Sequence, residues 1–562
     1  MSGHFHLAVD LGTFAVDAGP GTDVGEWLGV AFSGYVEETD APADAVRTAY
    51  EAHGTAMSGT VVGQYAAAVI DQRERRVVLA QDSLGVRPLF WTERGGRLIA
   101  SSDVEAIVRI DGAPELDPAY FAEYLASGRR PSGRTPYRGV QRLDGGDVLV
   151  FERGRRRTFR PWSPSPSRQQ PAWSEAVATL SDLLDTAVAA ALPRQGTVLC
   201  ELSGGLDSTT VAAYAAARRA VSALTVASSS GQTGEDLDYA RLVVDDLGVP
   251  WHRIDSDSYP PLSATGGTFA SAGEPGDELR SGLYAAYRHI VAETGATVVL
   301  TGIGGDQVLG GVRSPLPFVA DRLRDGNVRS AVSGARQWAA LAGTHRAWTH
   351  SLLHDGIRPV LRHLAGRPVV RRREDRPPPW VTPGLLRERP SPVSGLRVRL
   401  PGDQMEWDDV REGAGQQGTP FRLHLGAECR HPLLHRPLVD FMLSLAPEYR
   451  FGREGTRRLH RQAIDGRVPD QVRNRLTKSS DHRMLERALL LDPALARALA
   501  DRPRVVGLGW VDGDRWRDAV SRARFGVLEH PRQFYAAVCT ELWLQHRERH
   551  QPEPPPSLVP AA

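Results

Sequence analysis

A two-domain α/β architecture is predicted, with a strand-rich first part and a second part built on a parallel sheet. Three observations predict it. Up to about residue 160 the chain reads as short apolar strands broken by turns; residues 161–171 are rich in Pro and Ser; and from Trp173 onward helical and strand patterns alternate.

In the first part, the apolar run 61–71 ends in a polar turn, and 77–82 resumes after the charged turn 72–76, which predicts a hairpin. Residues 88–92 and 98–101 flank Arg94-Gly95-Gly96 and predict two more strands. Residues 161–171, Pro-Trp-Ser-Pro-Ser-Pro-Ser-Arg-Gln-Gln-Pro, read as too polar to pack. They predict a linker over 161–172 between a domain of residues 1–160 and a domain of residues 173–550.

In the second part, 173–192 carries Ala176, Leu180, Leu183, Leu184 and Val188 on one side of a helix. Strands are then predicted at 197–202, 221–227, 251–255 and 297–301, alternating with helices at 208–217, 237–247 and 281–294. Such alternation calls for right-handed crossovers onto a parallel sheet covered on both faces. Beyond residue 315 the pattern is mostly helical, broken at 371–379 by Arg-Arg-Arg-Glu-Asp-Arg-Pro-Pro-Pro, either a solvated loop or a docking place for an acidic partner. The Pro-rich end, 551–562, is expected to be a disordered tail.

Bulk properties exclude several classes. With 562 residues, 41% apolar and 24% charged, the chain can bury real cores, and a net charge of +1 gives no general pull toward nucleic acid or acidic membranes. No apolar run reaches the roughly 18 residues that span a bilayer, and the start, Met1-Ser2-Gly3-His4-Phe5, lacks the features of a secretory signal. Cys200, Cys429 and Cys539, odd in number and far apart, form no disulfide framework or metal motif, so a reduced, cytoplasmic protein is expected. Among 68 basic residues Lys478 is the only lysine. Either it survives by chance or it supplies the compact point charge that a guanidinium cannot.

The strongest local signal is Leu202-Ser203-Gly204-Gly205-Leu206-Asp207-Ser208, between a buried strand and a helix. Adjacent glycines let the backbone turn sharply and aim N–H groups at one anion, and Ser208 is expected to cap the helix whose positive end points there. Asp207 places a carboxylate in this anion site, which makes sense when Mg²⁺ bridges it to phosphate. A second metal carboxylate is expected at a neighbouring strand end, and Asp306 in Thr301-Gly302-Ile303-Gly304-Gly305-Asp306 supplies it.

These residues resemble the asparagine synthetase-like family of ATP pyrophosphatases, and the likeness covers most of the chain. Residues 203–208 look like its pyrophosphate loop and 302–306 like its second Mg²⁺ motif. Asp82-Ser83-Leu84-Gly85-Val86-Arg87-Pro88-Leu89-Phe90, Thr135-Pro136-Tyr137-Arg138-Gly139-Val140 and Leu143-Asp144-Gly145-Gly146 are similar to its glutaminase-type N-terminal domain. The resemblance implies an αββα sandwich of the N-terminal-nucleophile type, followed by an α/β synthetase domain. Glu428-Cys429-Arg430-His431-Pro432-Leu433-Leu434 looks like the family's Glu-x-Arg-x-Pro-Phe-Leu-Asp element, with His435 in place of the aspartate. Arg473-Asn474-Arg475-Leu476-Thr477-Lys478 resembles the segment with its catalytic lysine, so the sole lysine falls where the family has one. By the same likeness ATP and Mg²⁺ are the cofactors, Leu202, Val226, Thr301 and Gly302 line an adenine pocket, and Asp207 and Asp306 hold the metal.

Two departures narrow the branch. Glutamine-using members carry a cysteine directly after the initiator, where this chain has Ser2, so glutaminase activity is not expected. Asparagine synthetases have a glutamate, and β-lactam synthetases a tyrosine, where this chain has Ile303. The lasso peptide cyclases, which share the inactive N-terminal domain, are the branch that remains. They adenylate an Asp or Glu side chain of a precursor peptide, which its own N-terminal amine then attacks. A core peptide is therefore the expected partner, with a leader-binding protein and a leader peptidase as possible companions. A β-lactam synthetase-like small-ring ligase, another amide ligase of this family and a non-catalytic scaffold stay open. Glu428 is a candidate base for the amine, or a structural partner of Arg430.

Overall fold

The structure is a computed structural model. It describes residues 4–549 except 26, 113, 229–233, 260–272, 277, 279–280, 312–313, 342–346, 370–375, 390–396, 416–424, 453–454, 477–488 and 491–492.

Eleven strands precede residue 160 among the described residues: β1 (His6–Asp10), β2 (Val16–Ala18), β3 (Thr22–Val24), β4 (Leu28–Val36), β5 (Gly63–Asp71), β6 (Arg76–Gln81), β7 (Phe90–Arg94), β8 (Arg97–Ser101), β9 (Gln141–Arg142), β10 (Val148–Glu152) and β11 (Arg155–Phe159). They form two antiparallel sheets, β2-β1-β8-β7-β9 and β11-β10-β6-β5-β4-β3. The run of apolar residues in β5 is explained by burial on both faces. Ala66, Ala68 and Ile70 meet Leu7, Trp91 and Leu149 between the sheets, while Tyr65, Ala67 and Val69 pack with Val46 and Tyr50 of helix α1 (Pro42–His53). Helices α2 (Val104–Asp111) and α3 (Pro118–Ser127) share a core with Phe90 and Ile99 of the other sheet. Sheet on sheet with helices on both outer faces is the αββα sandwich. The expected hairpin β5–β6 is present, and the two further expected strands, β7 and β8, pair antiparallel with each other.

The second part begins with α4 (Trp173–Ala191), which buries Ala176, Leu180, Leu184 and Val188. Its sheet is fully parallel, in the order β14-β13-β12-β15-β16, from β12 (Thr197–Glu201), β13 (Ser222–Ala227), β14 (Trp251–Asp255), β15 (Ala296–Leu300) and β16 (Glu428–Arg430). Helices α5 (Leu206–Ala216), α6 (Gly234–Leu247) and α7 (Ser281–Thr294) connect the first four strands. Strand β16 was not anticipated: three residues are too short to show a period, and it joins the sheet 128 positions after β15 by its pairing with Val298, Val299 and Leu300.

Two expectations are corrected. Residues 161–171 are fastened rather than loose. Arg168 pairs with the fully buried Asp321 and, at 2.9 Å, with Asp403, Gln169 exchanges backbone hydrogen bonds with Ser444 and Ala446, and Trp162 lies edge-on against Trp407. Nor is Ser208 a helix cap. The helix starts at Leu206, so Ser208 sits in its first turn, where its Oγ accepts from the Ser203 N–H at 3.1 Å and donates to the Gly205 carbonyl at 3.2 Å.

The helical region after residue 315 closes back on the first domain. Phe121 of α3 stacks on Trp510 with ring centres 4.2 Å apart, and Trp543 of helix Pro531–Arg549 joins the same core. No helix among the described residues is long and apolar enough to cross a membrane.

Candidate active site

Strand β12 lies between β13 and β15, so the chain leaves it toward β13 and returns on its other side at β15. That reversal of strand order opens a crevice at the carboxyl edge of the sheet, where ligands of such folds bind. The loops after β12 and β15 meet in it, and glycines permit the contact. A methyl group at Gly302 would collide with the backbone nitrogen of Ser208, and one at Gly305 with the carboxylate of Asp207. Gly204 has a left-handed φ of 68° and faces the Asp236 carbonyl, so it takes the sharp turn, whereas Gly205 has an ordinary φ of −86°.

The crevice is a cavity of about 510 Å³, walled by Ser203, Gly205, Leu206, Asp207 and Ser208 on one side and Gly302, Ile303 and Asp306 on the other. Asp207 is buried, and a carboxylate there requires a counter-charge. Arg457 provides it. Its guanidinium forks onto both oxygens of Asp207, with Nη2 2.8 Å from Oδ2, and the same Nη2 reaches Asp306. The two sequence-predicted metal carboxylates thus converge on one cationic position. Burial and the nearby Arg461 pull the Arg457 guanidinium below its ordinary value, yet it remains a cation at neutral pH.

Two further arginines secure the segment that leads to Lys478. Arg461 donates to the carbonyls of Arg473 and, at 2.8 Å, Arg475. Arg475 donates to the Gly204 carbonyl at 3.2 Å and to Asp236 at 2.5 Å, and it stacks over Tyr239. Lys478 itself lies outside the described residues; Leu476, two positions earlier, lines the cavity. Sequence reasoning missed Arg457, Arg461 and Arg475 because nearly every basic residue in this chain is arginine, which leaves a functional arginine no contrast.

The expected adenine contacts divide. Val226, at the end of β13, is 36% exposed and offers an apolar face. Leu202 and Thr301 are buried; the Leu202 N–H donates to the Leu224 carbonyl and its own carbonyl accepts from the Thr225 hydroxyl, and the Thr301 N–H donates to the Arg430 carbonyl. The Thr301 hydroxyl lies 2.7 Å from His431 Nδ1.

Glu428 is corrected as a base for the amine. It does not line the cavity; its carboxylate is gripped by Arg87 of the first domain at 2.6 Å and by Arg430 at 2.7 Å. Burial pushes its pKa up, but Arg430 and Arg87 outweigh this and hold it below the usual carboxylate range, which makes it a weak proton acceptor.

Among the described residues no group of three or more His, Cys, Asp and Glu side chains forms a ready-made metal cage. Two carboxylates in a glycine-lined cradle, beside a turn at a helix N-terminus, nevertheless suit Mg²⁺, which takes one or two carboxylates and completes its shell with phosphate oxygens and water. The residues present therefore fit an Mg²⁺–nucleotide, and Asp207 and Asp306 are the carboxylates that could hold the metal.

Comparison with known proteins agrees in outline. The asparagine synthase family model matches residues 179–413 and 420–545, and a glutamine amidotransferase domain model matches residues 31–162. Asparagine synthetase (glutamine-hydrolyzing) 2 of Bacillus subtilis is 26% identical over 242 residues, 40% of this chain and 32% of that protein. Carboxyethyl-arginine beta-lactam-synthase of Streptomyces clavuligerus is 33% identical over 305 residues, 53% of this chain and 56% of that protein. A putative asparagine synthetase (glutamine-hydrolyzing) of Mycobacterium bovis is 27% identical over 489 residues, 75% of this chain and 72% of that protein. The matched stretch thus spans about a third to a half of the first two relatives. Because the synthase model covers well over half of the chain, on the domain that carries the crevice, this protein belongs to the asparagine synthase family.

Proposed function

We propose that this protein is an ATP-dependent, AMP-forming carbon–nitrogen ligase, and within that class a lasso peptide cyclase that closes a macrolactam between an Asp or Glu side chain and the N-terminal amine of a core peptide. The convergence of Asp207 and Asp306 on one cationic position in the crevice carries the ligase reading. Ile303 in the cavity wall supports the narrower one, because an isoleucine neither holds ammonia nor takes a proton from a small nucleophile.

In this reading, the turn from Ser203 to Ser208 and the positive end of α5 anchor the β- and γ-phosphates of ATP. Asp207 and Asp306 would hold Mg²⁺, which would supply the positive charge that a departing pyrophosphate needs. A substrate carboxylate oxygen bonds to the α-phosphorus as pyrophosphate leaves. The amine nitrogen then bonds to the acyl carbon, AMP departs, and the amine gives up a proton. Lys478 stabilises the oxyanion that forms between these states, and the enclosed peptide supplies proximity while water is kept out. Demand for ATP suits the cytoplasm.

The test is to incubate the protein with ATP, Mg²⁺ and candidate precursor peptides, adding a leader-binding protein and a leader peptidase where these exist. Pyrophosphate release with a peptide product lighter by one water is expected. Identity with the beta-lactam-synthase favours a second reading, closure of a small ring; turnover of carboxyethyl-arginine but of no peptide would establish it instead. Absence of pyrophosphate release with either class of substrate would leave another amide ligase of this family or a non-catalytic scaffold.

A further inference from the structure

Arg457 stands where a metal ion would have to stand. Its guanidinium touches both Asp207 and Asp306, so a divalent cation shared by these carboxylates and the guanidinium cannot occupy the position together. The placement is built in rather than incidental. Arg457 is buried, its backbone adopts a left-handed φ of 58°, and its N–H is tied to the Gly310 carbonyl at 3.0 Å. A non-glycine residue keeps that conformation only when its surroundings hold it there. Gly311 supplies the room: a methyl group there would press on Asp306 at 2.5 Å and on Nη2 of Arg457 at 2.9 Å.

We propose that Arg457 is a resident counter-ion that keeps the metal carboxylates paired and bars bare Mg²⁺, so that the metal enters only together with the triphosphate. The proposal rests on the reading of Asp207 and Asp306 as metal ligands and adds the order in which the site fills. Charge decides that order. Two carboxylates and one guanidinium sum to −1; a bare divalent ion brings the site to +1 and drives two cations together in a buried place. An ion that arrives on phosphate oxygens brings its own negative charge, so the guanidinium can release the carboxylates without being left unpaired. Arg457 is thus a positioning residue whose effect is on metal binding.

The experiment measures Mn²⁺ binding to the full chain by electron paramagnetic resonance, with and without a non-hydrolysable ATP analogue. In wild type, binding without nucleotide is expected to be weak. In Arg457→Met, nucleotide-free affinity should rise about tenfold or more, because the competing cation is gone, and Mg²⁺ alone should raise the Tm of this variant but not of wild type. Should Arg457→Met fail to fold, Arg457→Gln removes the charge but keeps a polar group beside the carboxylates; nucleotide-free affinity in that variant no higher than in wild type overturns the proposal. So does an Arg457→Met protein that binds nucleotide-loaded metal but gains nothing without nucleotide. If neither wild type nor variant binds Mn²⁺ even with the analogue, the metal-site reading itself falls.

Discussion

Asp207 is tolerated in a buried position because a guanidinium forks onto it, and the glycines around it are fixed by the same crowding. Gly302 is the sharpest case. Gly302→Ala must push the loop after β15 away from the Ser208 backbone, and a misplacement of about 1 Å at such a site lowers turnover on the order of 10²-fold. Steady-state pyrophosphate release, together with an unchanged circular dichroism spectrum, checks this. Lys478→Ala should leave folding intact and reduce product formation about 10²–10³-fold, the usual effect of removing one preorganised contact to a developing oxyanion; near-normal turnover would refute the role given to the lysine. The sequence singled out Lys478 because it is unique, and Asp207 and Asp306 because a carboxylate in an anion-binding turn is chemically odd. It could not single out Arg457, since neither a left-handed φ nor a spatial neighbour is written in a run of arginines.

Strand β16 shows how a short element gains its meaning from position. It pairs with β15 and carries Glu428 to Arg87 of the sandwich, while Gln64 and His431 exchange two buried hydrogen bonds across the same boundary, at 2.7 and 3.0 Å. The Glu428 carboxyl is held below its ordinary pKa of 4.5, so its stabilising effect is present above about pH 4.5 and is lost as pH falls through the lowered value. Glu428→Gln should therefore destabilise the protein by about 1.5–3 kcal/mol at neutral pH and flatten the acid limb of its stability profile. Urea unfolding at several pH values reads both effects. An unaltered acid limb would mean that this carboxylate is not what joins the sheet edge to the first domain.

At the scale of the whole molecule, the connection between the domains is anchored to the buried carboxylates of the second one. Arg168 satisfies Asp321 and Asp403 at once, so Arg168→Ala leaves two buried carboxylates without their cation and should destabilise by about 3–5 kcal/mol. Limited proteolysis checks the same point: wild type should resist cleavage within 161–171 and the variant should not. Composition alone misjudged this segment, because polarity says whether a side chain prefers water, not whether a charged partner waits for it in the fold. Features legible in the residues alone were periodic or chemically rare: the alternating strands and helices, a hairpin of the sandwich, the glycine-rich turn with its aspartate, and the second aspartate at the next strand end. These are local properties, set by side-chain spacing and backbone freedom within a few residues. Tertiary structure alone showed which distant residues meet: Arg457 between the two carboxylates, Glu428 taken by Arg87, Arg168 anchoring the connection, and Phe121 stacked on Trp510. Those pairings depend on chain paths more than a hundred residues apart, and a charge carries no record of its partner until the chain has folded.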